Sequence, residues 1–339
     1  MPNYNHAVFL KKSVSGLINQ RRAADEILIL DDASTDNSIE IIEEAIDNEP
    51  NVRLIKLKEN KGVIHALNRL LEEASGDWIG FPAADDFLFP QFLNTVEPLI
   101  LQSTKVGFVS ACVEIWDEND KKTGVRPIFY PSLSPKIFSP REAKKLLRES
   151  DNHFLGQVTL YRKDALRKLG GFDEKFGSGT DGLALRRLAL TMGFGFVPQR
   201  CGIWRLHGSN YSLTSAFNIP KYKKSIEQHK THVDGAPSDM FPDNYSDLIA
   251  RRMKFGAARL LLNGEMSFAS AIDKVAVLID AGYFETEVLK AFSFAGSQKR
   301  ALVLMWLFLR LWPFSPFRFA IQPLRRRIAE RRGSLANTK

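Results

Sequence analysis

The chain has 339 residues, 44% of them hydrophobic and 25% charged, with a net charge of +8. That composition supplies a sizeable core and excludes a disordered or low-complexity chain. Cys112 and Cys201 are the only 2 cysteines, too few for a disulfide framework or a cysteine-rich metal site, so two buried free thiols in a reducing compartment are expected. The basicity is local. From residue 299 onward ten cations face the single acid Glu330, so residues 1–298 are close to neutral. A chain whose basic charge sits in its tail loses the main argument for nucleic-acid binding, and none is expected.

Met1-Pro2-Asn3-Tyr4-Asn5-His6 comes first, without a signal peptide or basic targeting stretch. Apolar spacing predicts a helix over 7–20, then Glu26–Leu30 reads as a buried strand that stops at Asp31-Asp32-Ala33-Ser34-Thr35-Asp36. Asp36 or Ser34 can cap a helix over 36–48. Val52–Leu57 is a second strand, Asn60-Lys61-Gly62 a turn, and Val63–Ala74 a helix containing Asn68. A third strand at 77–81 runs into Ala84-Asp85-Asp86, with a helix at 91–103 beyond it. Three alternations of strand and helix predict a doubly wound, mostly parallel sheet with flanking helices. Parallel strands share their C-terminal side, so both aspartate pairs should converge on one sheet edge, where such sheets place ligands. Two adjacent carboxylates repel, and a divalent cation carrying substrate phosphates would relieve them.

Further along, Val106–Trp116 reads as a strand, bent near Ala111-Cys112, and 117–140 as a polar, proline-containing loop over the site. A helix over 140–149 precedes Asn152-His153-Phe154-Leu155-Gly156-Gln157 and a strand through Val158–Tyr161. Gly170-Gly171-Phe172-Asp173 follows, and Asp181 opens a helix over 181–193, where an acid also suits the helix dipole. Arg205-Leu206-His207-Gly208-Ser209-Asn210-Tyr211-Ser212 comes after a strand-like Cys201–Trp204. Amphipathic helices, including 244–263 and 267–281, fill the remainder up to 298, and His229 and His232 among them read as surface residues.

Pro2-Asn3-Tyr4-Asn5, Asp31-Asp32-Ala33-Ser34-Thr35-Asp36, Asn60-Lys61-Gly62 with Asn68, and Ala84-Asp85-Asp86 stand in an order and spacing that resemble family-2 glycosyltransferases of the GT-A fold. The resemblance covers about residues 1–215 and implies a sugar transferred with inversion from a nucleotide-diphosphate donor to an acceptor hydroxyl. It implies Asp181 as catalytic base, Asp86 with His207 on a divalent metal (Mn²⁺ or Mg²⁺), and Asp85 near the ribose or the metal. Pro2, Tyr4 and Asp32 would hold base and ribose, Asp31 would share that pocket, and Lys61 would face phosphate. In that family an apolar strand precedes the Pro-x-Tyr-Asn element, so such a strand is expected upstream of Met1. Thr180 stands where the family often has Glu.

Three segments are therefore expected: a catalytic domain over 1–215, a helical appendage over 216–298, and a basic tail over 299–339. The apolar run Ala301–Leu309, too short to span a bilayer, reads with Trp306, Trp312 and the arginines as an anchor on anionic lipid. A cytoplasmic enzyme, peripheral on the inner membrane face and acting on a glycan or lipid-linked acceptor, is the expectation. A dinucleotide-dependent oxidoreductase would need a Gly-x-Gly-x-x-Gly turn after the first strand, where this chain is acidic. A sugar nucleotidyltransferase would need a glycine-rich basic loop near the N-terminus. A catalytically dead, membrane-associated scaffold is the remaining alternative.

Overall fold

The computed structural model describes residues 1–336 except Thr104, Asn152, Ser209 and Glu265, and side chains other than those of 212, 213, 318, 319 and 332–336. Asn152, Ser209, the Ser212 side chain and part of the basic tail named above lie outside this set.

The chain forms two compact units. The first contains Met1–Glu174, Thr180–His207 and Pro316–Lys339. Its strands are β1 (Pro2–Asn3), β2 (Ile27–Asp31), β3 (Val52–Lys56), β4 (Trp78–Gly80), β5 (Phe87–Leu88), β6 (Phe108–Trp116), β7 (Lys122–Arg126), β8 (Lys136–Phe138), β9 (Thr159–Arg162) and β10 (Phe194–Arg205). Between them lie α1 (Ala7–Ile18), α2 (Ser38–Ile46), α3 (Val63–Glu73), α4 (Phe92–Gln102), α5 (Pro140–Ser150), α6 (Lys163–Lys168) and α7 (Thr180–Met192). The predicted alternation is present, and β1-β2-β3 form a parallel sheet. The second sheet, ordered β4-β9-β6-β10-β5, is mixed: β6 and β10 run parallel, while β9, β5, β7 and β8 pair antiparallel with their neighbours.

The segment 117–140 is less open than expected. β7 turns back on β6 through Asp117–Lys121, with Asp120 at φ 58°, and β8 pairs with β10. Both strands are short and partly exposed, so no apolar period marks them in the sequence. The bend expected near Ala111-Cys112 is real. The β6–β10 register slips between the pairs Ser110–Phe196 and Val113–Gly202, which adds local twist. Cys112 and Cys201 are both fully buried thiols in this layer.

β2 is buried along its whole length, as its run of Ile27, Leu28, Ile29 and Leu30 requires. Yet among the described residues no strand bridges β2 and β4. A cavity of about 940 Å³ is lined there by Leu28, Leu70, Ile79, Phe92 and Leu160, with Met1 at its wall. The Met1 ammonium is buried and donates to Leu28 O at 2.6 Å; burial pushes its pKa down to about 5. A strand added ahead of Met1 would run into this space. Five apolar residues there would gain about 2 kcal/mol each and lose about 1.5 kcal/mol each to ordering. An N-terminal extension of five such residues is therefore expected to raise Tm by roughly 3–5 °C. An unchanged or lower Tm, read by calorimetry beside a Gly/Ser extension of the same length, would show that the cavity does not accept a strand.

The second unit comprises Lys175–Gly179 and Gly208–Ser315. It holds α8 (Tyr211–Phe217), α9 (Ile219–Asp234), α10 (Tyr245–Asn263), α11 (Phe268–Ile279), α12 (Tyr283–Ala291) and α13 (Lys299–Leu311). Here the apolar run divides. Val303, Leu307 and Leu311, spaced by four, are buried, while Met305 and Leu309 are 57% and 73% exposed. His229, expected at the surface, is buried: Nδ1 meets Ser225 O at 2.7 Å, and its ring lies 4.9 Å from that of Phe176.

The basic tail is not a detached segment. α14 (Pro316–Ala320) and α15 (Gln322–Ala336) belong to the first unit. Arg325 donates to Tyr130 O at 3.1 Å and Arg326 to Ile128 O at 2.8 Å. Glu330 pairs with Arg200, and Ala329 is buried in the main core. These cations satisfy carbonyls of their own fold, so the charge surplus overstates what is left for a lipid surface. No helix among the described residues is long and apolar enough to cross a membrane.

Candidate active site

The end of β2 forms a turn made by its own carboxylates. Asp31 is fully buried and accepts from Asn3 Nδ2 at 2.7 Å, Ser34 N at 2.8 Å and Ser34 Oγ at 2.7 Å. Asp32 accepts from the amides of Lys61 and Gly62, both at 2.8 Å, which fixes the 60–62 turn; Gly62 sits there at φ 88°. Asp36 caps two helices, accepting from Ala7 N and from Ser38 N at 3.0 Å. Burial raises its pKa, but these hydrogen bonds outweigh that and hold it below the usual carboxylate value. Asp31 and Asp32 were expected against a nucleotide; in this structure Asp31's oxygens face Asn3 and Ser34, and Asp32 is held by backbone amides. Tyr4 is 40% exposed beside them, Pro2 lies in β1, and the Lys61 ammonium reaches Glu59 at 3.3 Å in solvent.

The two aspartate pairs were expected on one edge of one parallel sheet, but β2 and β4 belong to different sheets; residues 5 and 6 link the two segments. Asn5 donates its amide to Ser34 Oγ at 2.9 Å and accepts from Thr35 N at 2.7 Å, so it is locked to the β2 turn. His6, the next residue, groups with Asp85 and His207: one ligand atom from each lies within 4.8 Å of the others. Phe9 sits one turn further on, and its ring lies 5.0 Å from that of His207 and 5.4 Å below the Arg205 guanidinium.

The Asp85-Asp86 pair is met by the end of β10. Asp85 Oδ2 lies 2.9 Å from His207 Nε2, and Asp86 Oδ1 accepts from the Arg205 amide at 2.9 Å. Residues two apart on the extended chain thus serve neighbouring carboxylates. Their electrostatics diverge. Burial, reinforced by the Asp85 charge, pushes Asp86 well above the ordinary range. Burial acts the same way on Asp85, but the His207 hydrogen bond and the charges of His6 and His207 reverse it, leaving Asp85 low. Asp86 was the expected metal ligand. One of its oxygens, Oδ1, meets the Arg205 amide, and the group of possible ligand atoms that the structure brings together is His6, Asp85 and His207. That set mixes imidazole with carboxylate, and His6 Nδ1 is buried without a hydrogen-bond partner, so these residues suit a divalent cation.

Asp181 stands at the first turn of α7 and accepts from Gly182 N at 2.7 Å. Burial raises its pKa and outweighs the Gly182 amide and the Arg186 charge. A Cβ on Gly156 would lie 2.7 Å from Asp181 Oδ2, so glycine keeps that face of the carboxylate open. Two contacts set α7. Asn68 of α3 both donates to Phe172 O and accepts from Phe172 N at 2.8 Å, pinning the Gly-Gly-Phe-Asp turn. Arg186 holds Asp151 with Nη2–Oδ1 and Nη2–Oδ2 distances of 2.8 and 2.9 Å, and donates to Gly182 O at 2.6 Å. Sequence reading did not single out His6, Arg186 or Asp151. The only available signal for His6 was its place directly after the Pro-x-Tyr-Asn element.

The family model for glycosyl transferase family 2 matches residues 1–170. An uncharacterized glycosyltransferase of Nostoc sp. is 27% identical over 218 residues, 63% of this chain and 66% of that protein. A chondroitin synthase of Pasteurella multocida is 29% identical over 66% of this chain and 22% of the synthase. The chain therefore spans less than two thirds of these relatives' lengths. Among solved structures, a mannosyltransferase from Pyrobaculum calidifontis, in complex with GDP-Man and Mn²⁺, superimposes with a TM-score of 0.53 at 20% identity, covering 97% of this chain and 84% of that one. Residues 1–349 of S. aureus TarS, in complex with UDP, give 0.56 at 16% identity, covering 98% and 90%. Those two likenesses show the GT-A fold, and the match across half the chain shows the lineage: this protein belongs to glycosyl transferase family 2.

Proposed function

We propose that the chain transfers a sugar from a nucleotide-diphosphate donor to a glycan or lipid-linked hydroxyl in cell-surface polysaccharide synthesis, with inversion. The observation that carries this reading is the meeting of Asp85 and Asp86 with the end of β10 beside His6. A relative named chondroitin synthase and a neighbour solved with GDP-Man and Mn²⁺ support it.

Asp85 and His207 would hold a divalent ion, Mn²⁺ or Mg²⁺, which when bound supplies Lewis-acid stabilisation to the leaving diphosphate. Asp86 keeps the segment before His207 in register through the Arg205 amide. The Tyr4 ring is exposed and free to stack on a base, Pro2 stiffens the approach, and Asp32 shapes the 60–62 turn that offers Lys61 to phosphate. Asp181 accepts the proton of the attacking hydroxyl, and Gly156 leaves space for it. A single displacement needs one base and no protein nucleophile, which matches a buried carboxylate at a helix start. Met305 and Leu309 are exposed apolar residues where an acceptor-bearing membrane would be met.

A panel of nucleoside diphosphates, with and without Mn²⁺, tests the donor site by thermal shift. One diphosphate should stabilise only with metal, by about 2.7 kcal/mol at a hundredfold excess over Kd, and Asp85→Ala should abolish the shift. The same assay with acceptor lipid in anionic vesicles tests the membrane arm. If no diphosphate shifts the parent, the scaffold reading replaces transfer.

A further inference from the structure

We propose that His6 is a third protein ligand of the cation site, and that the site consequently selects Mn²⁺ or another transition ion over Mg²⁺ and binds it before any nucleotide arrives. This rests on the donor-site reading above. The first turn of α1 explains how His6 comes to be there. Phe9 N donates to His6 O at 2.9 Å, so His6 and Phe9 project from the same side, as residues three apart on a helix do. The Phe9 ring lies 5.0 Å from that of His207 at a tilt of 31°, and the His6 and His207 rings meet edge-on at 6.3 Å. Asn5, bonded to Ser34 and Thr35, prevents the segment from moving away.

The chemistry of His6 fits a ligand better than a bystander. Its Nδ1 is buried with no hydrogen-bond partner, a costly condition for an imidazole nitrogen unless something occupies it. Two donors each about 2.1 Å from one metal lie about 3 Å apart when adjacent. His207 Nε2 and Asp85 Oδ2, hydrogen-bonded at 2.9 Å, are near enough to share one ion once the proton between them leaves, and one ligand atom of His6 lies within 4.8 Å of one from each. Two imidazoles and one carboxylate resemble the open-faced sets that hold transition ions and leave positions for substrate oxygens. Mg²⁺ prefers oxygen ligands and keeps its waters, so two nitrogens disfavour it. A site with one carboxylate and one imidazole would depend on the diphosphate for its remaining ligands. A third protein ligand removes that dependence.

The experiment is a Mn²⁺ titration of the full chain without nucleotide, following the loss of the free-ion electron paramagnetic resonance signal, with Mg²⁺ as competitor. The parent should bind Mn²⁺, and equal Mg²⁺ should displace little of it. His6→Ala should weaken Mn²⁺ binding at least tenfold while its metal-free melting curve stays unchanged. His6→Asn, which places an amide oxygen near the Nδ1 position, should shift preference toward Mg²⁺. Parent-like Mn²⁺ affinity in His6→Ala would overturn the role of His6 and leave the donor site intact. Effective competition by equal Mg²⁺ would overturn the selectivity. A parent that binds no Mn²⁺ alone, yet shows a metal-dependent shift with a diphosphate, would reduce the site to Asp85 and His207. A parent without metal response in either assay would sink the donor-site reading itself.

Discussion

Asp181→Asn should lower kcat by about 10²–10⁴-fold, the usual contribution of a positioned general base, with donor affinity unchanged. Asn keeps the shape and still accepts from Gly182 N, so the helix start survives. The pH profile separates a base from a cap. The working form is the carboxylate, and burial raises the Asp181 pKa. Activity should therefore fall as pH drops through a value above the usual carboxylate range, and Asp181→Asn should lack that limb. The stability effect has the opposite sign. An acid whose folded pKa is raised takes up a proton on folding, so at neutral pH its charge costs stability. The Asn variant should melt at the same temperature or higher, as expected where function is bought with stability. A variant that loses stability and retains kcat would make Asp181 a structural cap. Single-turnover rates across pH, with calorimetry on both proteins, decide between the two.

Arg186→Ala should cost about 3–5 kcal/mol, because it removes the cationic partner of a buried carboxylate. The Arg186 and Asp151 side chains are 8% and 1% exposed. The pair joins the end of α5 to the second turn of α7, and Arg186 also donates to Gly182 O in the first turn, beside the proposed base. The double change Arg186→Met with Asp151→Leu should recover most of that stability, since a buried ion pair is often no better than apolar residues of similar volume. It should not recover kcat, because the donor to Gly182 is gone and the base turn loosens. Chemical denaturation of both single variants and the double one measures the coupling directly. If the single variant is as stable as the parent, the pair contributes little. If the double variant has full kcat, the pair does not position Asp181.

Legibility differed among the parts of this protein. The α/β alternation was readable because β2, with four consecutive apolar residues, and α3, with a clear helical period, declare themselves locally. β7 and β8 were not, because their stability comes from pairing with β6 and β10 rather than from their own residues. The tail misled for a related reason: charge counts do not reveal that Arg325 and Arg326 reach carbonyls about 200 positions away in sequence.

By itself, the sequence determined which residue types stand at the ends of which strands: Asp31 and Asp32 at the end of β2, and Asp85 and Asp86 after β4. That follows from local pattern alone. Only the tertiary structure decided what each carboxylate does. Asp31, Asp32 and Asp86 accept from neighbouring side chains or amides, while Asp85 faces two histidines from distant segments. The reason is physical. A carboxylate's role is set by the donors and charges within a few ångströms, and those come from chain crossings that no single stretch encodes.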